Sequence, residues 1–161
     1  IYGLRSQDNL GIGDFGDVAR LAEGVGRLGG SFLGLSPVHA LFSADRTKYS
    51  PYSPSSRLFV ETGFIDVAAV PGFAESAASR LLREPGLAGR IDTVRASALV
   101  EYEASWEVKR TLLDALWRER DWTQDAEFTA FRRAGGDALE RHATFEALSE
   151  HHRAQGRFWS G

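Results

Sequence analysis

An amphipathic run near the start of the chain is the feature that most limits how it can fold. Apolar residues recur every three or four positions from Phe15 to Leu28, which is the spacing of one face of a helix. Asp14 stands where a helix N-cap is expected, and Gly29 and Gly30 stand where the helix should end. The pattern therefore predicts an amphipathic helix that packs one face against other elements.

The stretch after this helix, SFLGLSPVHALF at residues 31–42, is almost continuously apolar, which is typical of a strand buried on both faces. Residues 1–5, IYGLR, are interpreted as a shorter strand before the helix. Strand, helix and strand in this order predict a βαβ unit and a parallel sheet or barrel. Ligands bind beyond the C-terminal ends of strands in such folds. The loop SPYSPSSR at residues 50–57 is therefore a candidate ligand loop that presents Tyr52.

Helical patterns replace the short strands from about residue 74 onward, after a second extended run, FIDVAAV, at residues 64–70. We expect a short helix at 75–84 closed by Pro85 and Gly86, a long helix at about 92–120, and two further helices at 125–133 and 137–155 separated by Gly135 and Gly136. The chain is accordingly divided into an α/β part, residues 1–73, and a helical part, residues 74–161.

Composition restricts the class of function. The 161 residues suit one globular domain or part of a larger one, and the lack of methionine predicts a piece of a longer protein. A net charge of -3, with basic residues scattered among acidic ones, argues against a nucleic-acid partner. No apolar run approaches the roughly 18 residues of a membrane span, so we expect no membrane partner. A chain without cysteine suits a reducing cytoplasm. The sequence does not indicate an oligomeric state.

Three patterns that could carry chemistry have simpler explanations. GIGDFG at residues 11–16 matches a nucleotide-binding pattern, but the following apolar run ends in SPVHAL without the acidic residue of a dinucleotide site, so a tight turn before a helix is favoured. His142 and Glu146 lack a third metal ligand at a matched spacing, which favours a solvated helix face. The spacing of the aspartates near turns does not bring two together as a catalytic pair; they are Asp14, Asp17, Asp45 and Asp66.

Five stretches of the chain together resemble one enzyme family. They are YGLRSQDNLGIGDFGDVARLAE, GLSPVHALF, SPYSPSSRLF, FIDVAAVP and HATFEAL. Their order and separations are similar to those of the 4-alpha-glucanotransferases, also called amylomaltases or disproportionating enzymes, of glycoside hydrolase family 77. The resemblance implies a (β/α)8 TIM barrel with helical insertions. Residues 1–73 would supply its first βα units and residues 74–161 a mainly helical inserted subdomain, so the barrel is incomplete in this chain.

The resemblance also implies an activity and a set of site residues. The family transfers α-1,4-glucan segments between maltooligosaccharides through a covalent glycosyl-enzyme, with no organic cofactor and no catalytic metal. Its catalytic carboxylates are expected beyond Gly161, so this chain alone is expected to be inactive. The match at Ser50, Pro51 and Tyr52 implies that the Tyr52 ring packs against the sugar. His39 is a further candidate for the wall of the cleft. A purely structural role for His39 is an equal alternative.

Three departures from the family pattern bear on the choice of acceptor. Leu10 stands where the family commonly has Trp, and Ser36 stands where it has Asn. Glu61 and Thr62 stand where the family commonly has Asn-Pro, which puts a charge where a neutral amide is usual. Two other functions stay open: an α-amylase-like glycoside hydrolase on a related barrel, and a non-catalytic glucan-binding or helical interaction module. Lengthening of maltodextrins distinguishes transfer from hydrolysis, and turnover distinguishes an enzyme from a binding module.

Overall fold

The described part of the chain, residues 1–157 of a computed structural model, is mainly helical with one small sheet. Its α-helices and strands are α1 (Phe15–Arg27), β1 (His39–Ala40), β2 (Ser56–Val60), α2 (Ala77–Leu81), α3 (Pro85–Ala96), α4 (Tyr102–Arg118) and α5 (Ala126–Ala154). Short 3-10 helices lie at Thr62–Phe64, Val67–Ala69, Phe73–Glu75 and Trp122–Gln124. The end of the predicted helical part, residues 158–161, lies outside the described residues.

The first helix confirms the prediction from sequence. Asp14 is its N-cap: Asp14 Oδ1 accepts from the Asp17 amide at 3.1 Å, and Asp17 Oδ2 accepts from the Asp14 amide at 3.2 Å. This reciprocal capping box satisfies amides that a helix start otherwise leaves unpaired. Gly29, just past the end of α1, has a φ of 83°, which is the left-handed conformation that glycine adopts without strain. The GIGDFG pattern thus forms a turn and a helix cap.

The predicted βαβ unit is wrong for the described residues. β1 and β2 pair antiparallel, and they are the strands of a two-stranded sheet. Residues 31–38 form no regular element, and Phe32 is 88% exposed. Residues 1–5 do not form a strand, because the Leu4 amide donates to Ile1 O at 2.8 Å in a turn. A buried parallel strand needs partner strands for its backbone groups, and residues 1–5 supply none.

Local hydrogen bonding and helix boundaries explain three further differences. The predicted extended run at residues 64–70 contains 3-10 turns, because Asp66 Oδ1 accepts from the Ala68 amide at 3.1 Å and competes with an extended backbone. The predicted long helix at 92–120 is two helices, since Ser97 leaves α3 with a ψ of 136°. Pro85 begins α3 instead of closing the helix before it, because the first position of a helix does not need an amide hydrogen.

The last helix confirms the prediction of two segments separated by glycines. α5 runs from Ala126 to Ala154, and Gly136 interrupts it with a φ of 50° and a ψ of -150°. That conformation is open to glycine because it has no Cβ. Among residues 1–157, none of the helices is both long enough and apolar enough to cross a membrane.

The core packs α2, α3 and α4 against Leu10 and Val67, and a buried lysine joins it to α1. Its buried residues are Leu10, Val67, Ala78, Leu87, Ile91, Val108, Leu112 and Leu116. Lys109 of α4 is fully buried; its Nζ donates to Ile65 O at 2.7 Å and lies 3.5 Å from Asp14 Oδ2. Burial lowers the pKa of Lys109 and raises the pKa of Asp14, while the opposite charge of each partner counteracts the shift of the other.

We predict that Lys109→Met destabilises the protein by about 3–5 kcal/mol, because it leaves Asp14 buried without its cation. Ile65 O also loses its donor. The free energy of unfolding is measured by urea denaturation at neutral pH. Lys48→Met is the matched control, since Lys48 is exposed, and its effect should stay within about 0.5 kcal/mol. Equal urea midpoints for the two variants would contradict the prediction.

Asp17 makes the stability depend on pH. Burial alone raises the pKa of Asp17, but hydrogen bonds led by that from Asn9 Nδ2, at 2.8 Å, outweigh it and hold the pKa below its ordinary value of 3.8. Such a carboxyl stabilises the fold above the pKa it has when unfolded, and the contribution is lost as the pH falls through its folded pKa. We expect the free energy of unfolding to fall less steeply below about pH 4 in Asp17→Asn than in the parent sequence. Parallel pH profiles in acid would contradict this.

Candidate functional site

The loop that connects β1 to β2, residues 41–55, carries the candidate site and is called the Tyr52 loop below. At its tip the Ser53 amide donates to Ser50 O at 3.1 Å, closing a turn around Pro51 and Tyr52. Tyr52 is 72% exposed. The structure therefore brings Ser50, Pro51 and Tyr52 together in one turn with the phenol facing solvent.

His39, the remaining predicted site residue, lies at the base of the Tyr52 loop. It is half-buried in β1, opposite Val60 of β2. The base is closed by Ser55, whose amide donates to Ala40 O at 2.8 Å and whose hydroxyl oxygen lies 2.9 Å from Leu41 O. His39 is thus separated along the loop from the turn that carries Tyr52.

Helix α5 holds both ends of the Tyr52 loop. Glu146 Oε2 accepts from the Ser43 amide at 3.0 Å and from the Ser43 hydroxyl, and Glu146 Oε1 accepts from the Ser55 hydroxyl at 3.2 Å. A second contact lies nearby, where Arg153 Nη1 is 3.5 Å from Asp45 Oδ1. Hydrogen bonds to a carboxylate are stronger than those between neutral groups, so Glu146 restrains the two ends firmly.

Helix α4 holds the middle of the Tyr52 loop by ring contacts. Tyr49 stacks on Tyr102, with ring centroids 4.4 Å apart and planes 9° from parallel. The Arg46 guanidinium carbon lies 3.8 Å from the centroid of the Trp106 ring, a cation–π contact. Burial, with smaller effects from Tyr2 and Tyr49, raises the pKa of Tyr102 to about 12. Tyr102 therefore stays protonated at neutral pH, and it packs as an uncharged ring.

The unusual charge at Glu61 is neutralised from within the Tyr52 loop. Glu61 is 3% exposed, and Arg46 Nη1 donates to Glu61 Oε1 at 2.7 Å. The Gly63 amide donates to the same oxygen at 2.7 Å, and the Leu41 amide donates to Glu61 Oε2 at 2.7 Å. A buried carboxylate is tolerated when it is paired with a cation and hydrogen-bonded in this way. Arg46 thereby connects the loop to the 3-10 turn after β2.

The interpretation of His142 and Glu146 as a solvated helix face is wrong. Both are half-buried: the His142 ring stacks on Phe59 of β2 with centroids 4.5 Å apart, and Glu146 binds the loop. Their four-residue spacing placed them on one face, as predicted, and Phe145, which contacts Phe42, lies on the same side. The helical spacing of His142, Phe145 and Glu146 was the signal in the sequence that this face of α5 is packed. Within residues 1–157, no group of three acidic or histidine side chains is placed to bind a metal.

The geometry of the Tyr52 loop suits ligand binding instead of acid–base catalysis, because the carboxylates around the loop already have hydrogen-bond partners. Glu61 and Glu146 hold backbone amides. Asp45 Oδ1 accepts from the Thr47 hydroxyl at 2.6 Å, and this bond, with help from Arg153, lowers the pKa of Asp45 although burial opposes it. Asp45 therefore stays ionised at neutral pH and makes a poor general acid. Tyr52 instead offers a ligand an exposed apolar ring face and a hydroxyl.

We predict that Arg46→Met costs about 3–5 kcal/mol of unfolding free energy, because it leaves the Glu61 carboxylate buried without a cation. The double variant Arg46→Met/Glu61→Gln removes both charges and should recover at least about half of that loss. Urea denaturation of the three proteins gives the comparison. A double variant no more stable than Arg46→Met would show that the buried charge is not the cause.

Comparison with known proteins agrees with the resemblance in sequence. The family model for 4-alpha-glucanotransferases matches residues 1–160. A 4-alpha-glucanotransferase of Haemophilus influenzae is 30% identical over 141 residues, which is 87% of this chain and 20% of that protein. Proteins of the same name from Mycobacterium tuberculosis and Mycobacterium bovis are each 32% identical over 163 residues, covering 93% of this chain and 22% of theirs. The chain spans about a fifth of the length of these curated relatives. It belongs to the 4-alpha-glucanotransferase family, glycoside hydrolase family 77.

Proposed function

We propose that the complete protein is a 4-alpha-glucanotransferase that moves α-1,4-glucan segments from one maltooligosaccharide to another. The family match over residues 1–160 supports this activity, as do the names of the relatives. The structural observation that carries the proposal is the exposed Tyr52 at the tip of a loop held from both sides. A chain without cysteine also suits the cytoplasmic location that we propose for it.

In this proposal Tyr52 is the part of the sugar site that this chain contributes. Its ring packs against one face of a glucose unit, and its hydroxyl hydrogen-bonds to the sugar. Pro51 and Ser50 shape the turn, and a restrained turn loses little entropy when the sugar binds. His39 would lie in the wall of the cleft at the base of the loop.

We propose a retaining reaction whose catalytic carboxylates lie outside these 161 residues. An aspartate attacks the anomeric carbon and forms a covalent glycosyl-enzyme, while a glutamate protonates the departing glycosidic oxygen. The 4-hydroxyl of a second glucan then attacks the same carbon, gives its proton to that glutamate, and releases the aspartate. The partners already made by Glu61, Glu146 and Asp45 support placing this chemistry elsewhere in the protein.

The exposed apolar residues of the N-terminal part support the proposal that it belongs to a larger barrel. Leu28 is 90% exposed and Leu58 is 78% exposed, and Phe32 lies between them in sequence with a similar exposure. In this proposal, further elements of the barrel cover these side chains in the complete protein. We propose that the complete protein has a (β/α)8 barrel to which residues 1–73 belong, and that residues 74–161 form a helical subdomain inserted in it.

Incubation with maltotriose tests the proposed function. We expect the full-length protein to produce glucose together with maltodextrins longer than maltotriose, and the 161-residue chain alone to produce neither. Chain lengthening shows that a sugar hydroxyl, not water, accepts the glycosyl group. New reducing ends without longer products would contradict transfer and indicate a hydrolase, and binding of glucan without turnover would indicate a binding module.

Tyr52→Ala in the full-length protein tests the role of the exposed ring within that assay. We expect kcat/KM for transfer to fall about tenfold, which corresponds to about 1.4 kcal/mol of lost ring contact. Stability should be unchanged because the side chain lies largely in solvent. Phe131→Ala is the matched control, an aromatic residue of α5 that is 59% exposed and lies outside the loop. Equal activities of the two variants would remove Tyr52 from the site.

A further inference from the structure

Glu146 is the one side chain among the described residues shown to hydrogen-bond to both ends of the Tyr52 loop. Ser43 lies near the start of the loop and Ser55 at its end, and the hydroxyl of each lies within hydrogen-bond distance of a different oxygen of the same carboxylate. The Ser43 amide adds a third bond at 3.0 Å. This carboxylate therefore reinforces the closure of the loop that the Ser55 amide makes with Ala40 O, and it adds Ser43 to the restrained base.

The position of Tyr52 depends on the backbone of the loop that carries it. The side chain is 72% exposed, so packing around the ring does little to hold it. The Ser50–Ser53 turn holds it, and this turn is supported by the Tyr49–Tyr102 stack and by the anchored ends of the loop. A ligand-binding group on a loop must be held close to its productive geometry. Otherwise the entropy lost in ordering the loop reduces the binding free energy.

We propose that Glu146 is a positioning residue for glucan binding, acting on Tyr52 through Ser43 and Ser55. This inference rests on the proposed function, because it gives a role in sugar binding to a helix outside the loop. Glu146 touches no sugar in this scheme. It keeps the two ends of the loop together, so that the turn presents the phenol in one orientation.

The distinguishing experiment is a double-mutant cycle in the full-length protein, with kcat/KM for transfer between maltotriose molecules as the readout. We expect Glu146→Ala to lower kcat/KM at least fivefold when Tyr52 is present, and less than twofold in the Tyr52→Ala background. Coupling of this kind arises when one residue acts through the other. An equal loss in both backgrounds, or no loss in either, overturns the proposal, since a general structural defect does not depend on Tyr52.

Glu140→Ala is the matched control. Glu140 lies on the same helix, its side chain is 71% exposed, and it pairs with Arg132 at 3.3 Å instead of with the loop. The variant makes the same change of charge and size on α5. We expect it to leave kcat/KM within twofold of the parent sequence in both backgrounds, so that any loss in Glu146→Ala is assigned to the loop contacts.

Hydrogen exchange separates a failure of this inference from a failure of the proposed function. In Glu146→Ala we expect the Ser43, Ser53 and Ser55 amides to exchange at least tenfold faster than in Glu140→Ala, with α4 amides unchanged. Unchanged exchange in the loop overturns the positioning role whatever the enzyme does. Absence of transfer by the unmodified full-length protein refutes the glucanotransferase proposal, and faster loop exchange in that case still supports the role of Glu146 in holding Tyr52.

Discussion

The buried ammonium of Lys109 is the contact on which the arrangement of this chain depends. It projects from the middle of α4, donates to Ile65 O, and faces the Asp14 carboxylate that caps α1. Three segments far apart in sequence thereby meet at one charge. Because an isolated buried charge is very costly, the structure tolerates these groups only together, and that requirement fixes α4 against the N-terminal part.

Anchoring of α4 has a consequence for the candidate site. The N-terminal turns of α4 carry Tyr102 and Trp106, the rings against which Tyr49 and Arg46 pack. From the other side, α5 supplies Glu146. The Tyr52 loop is therefore supported by two helices of the C-terminal part, although it belongs to the N-terminal part. The helical region supports the Tyr52 loop, and this explains how a Pro- and Ser-rich tract can hold an exposed ring in place.

The elements that sequence predicted well are those whose signals are local. α1 has its cap and its terminating glycines within a few residues of its ends, and the interruption of α5 follows from Gly136 itself. Predictions failed where distant partners decide. Residues 31–42 look like a buried strand because they are apolar, but the described residues offer them no parallel neighbours. The turns at 62–69 depend on carboxylates that bind nearby amides, which hydrophobic patterning does not register.

The sequence by itself determined the family, the first helix, and the choice of Tyr52 as the residue to examine, since motif order and local capping are properties of neighbouring residues. Only the tertiary structure decided what holds that tyrosine. Glu146 lies about a hundred residues from Ser43, and its charge looked solvent-facing when α5 was considered alone. The pairing of Arg46 with Glu61 likewise follows only from the folded loop, because the pairing of charges depends on their distance in space.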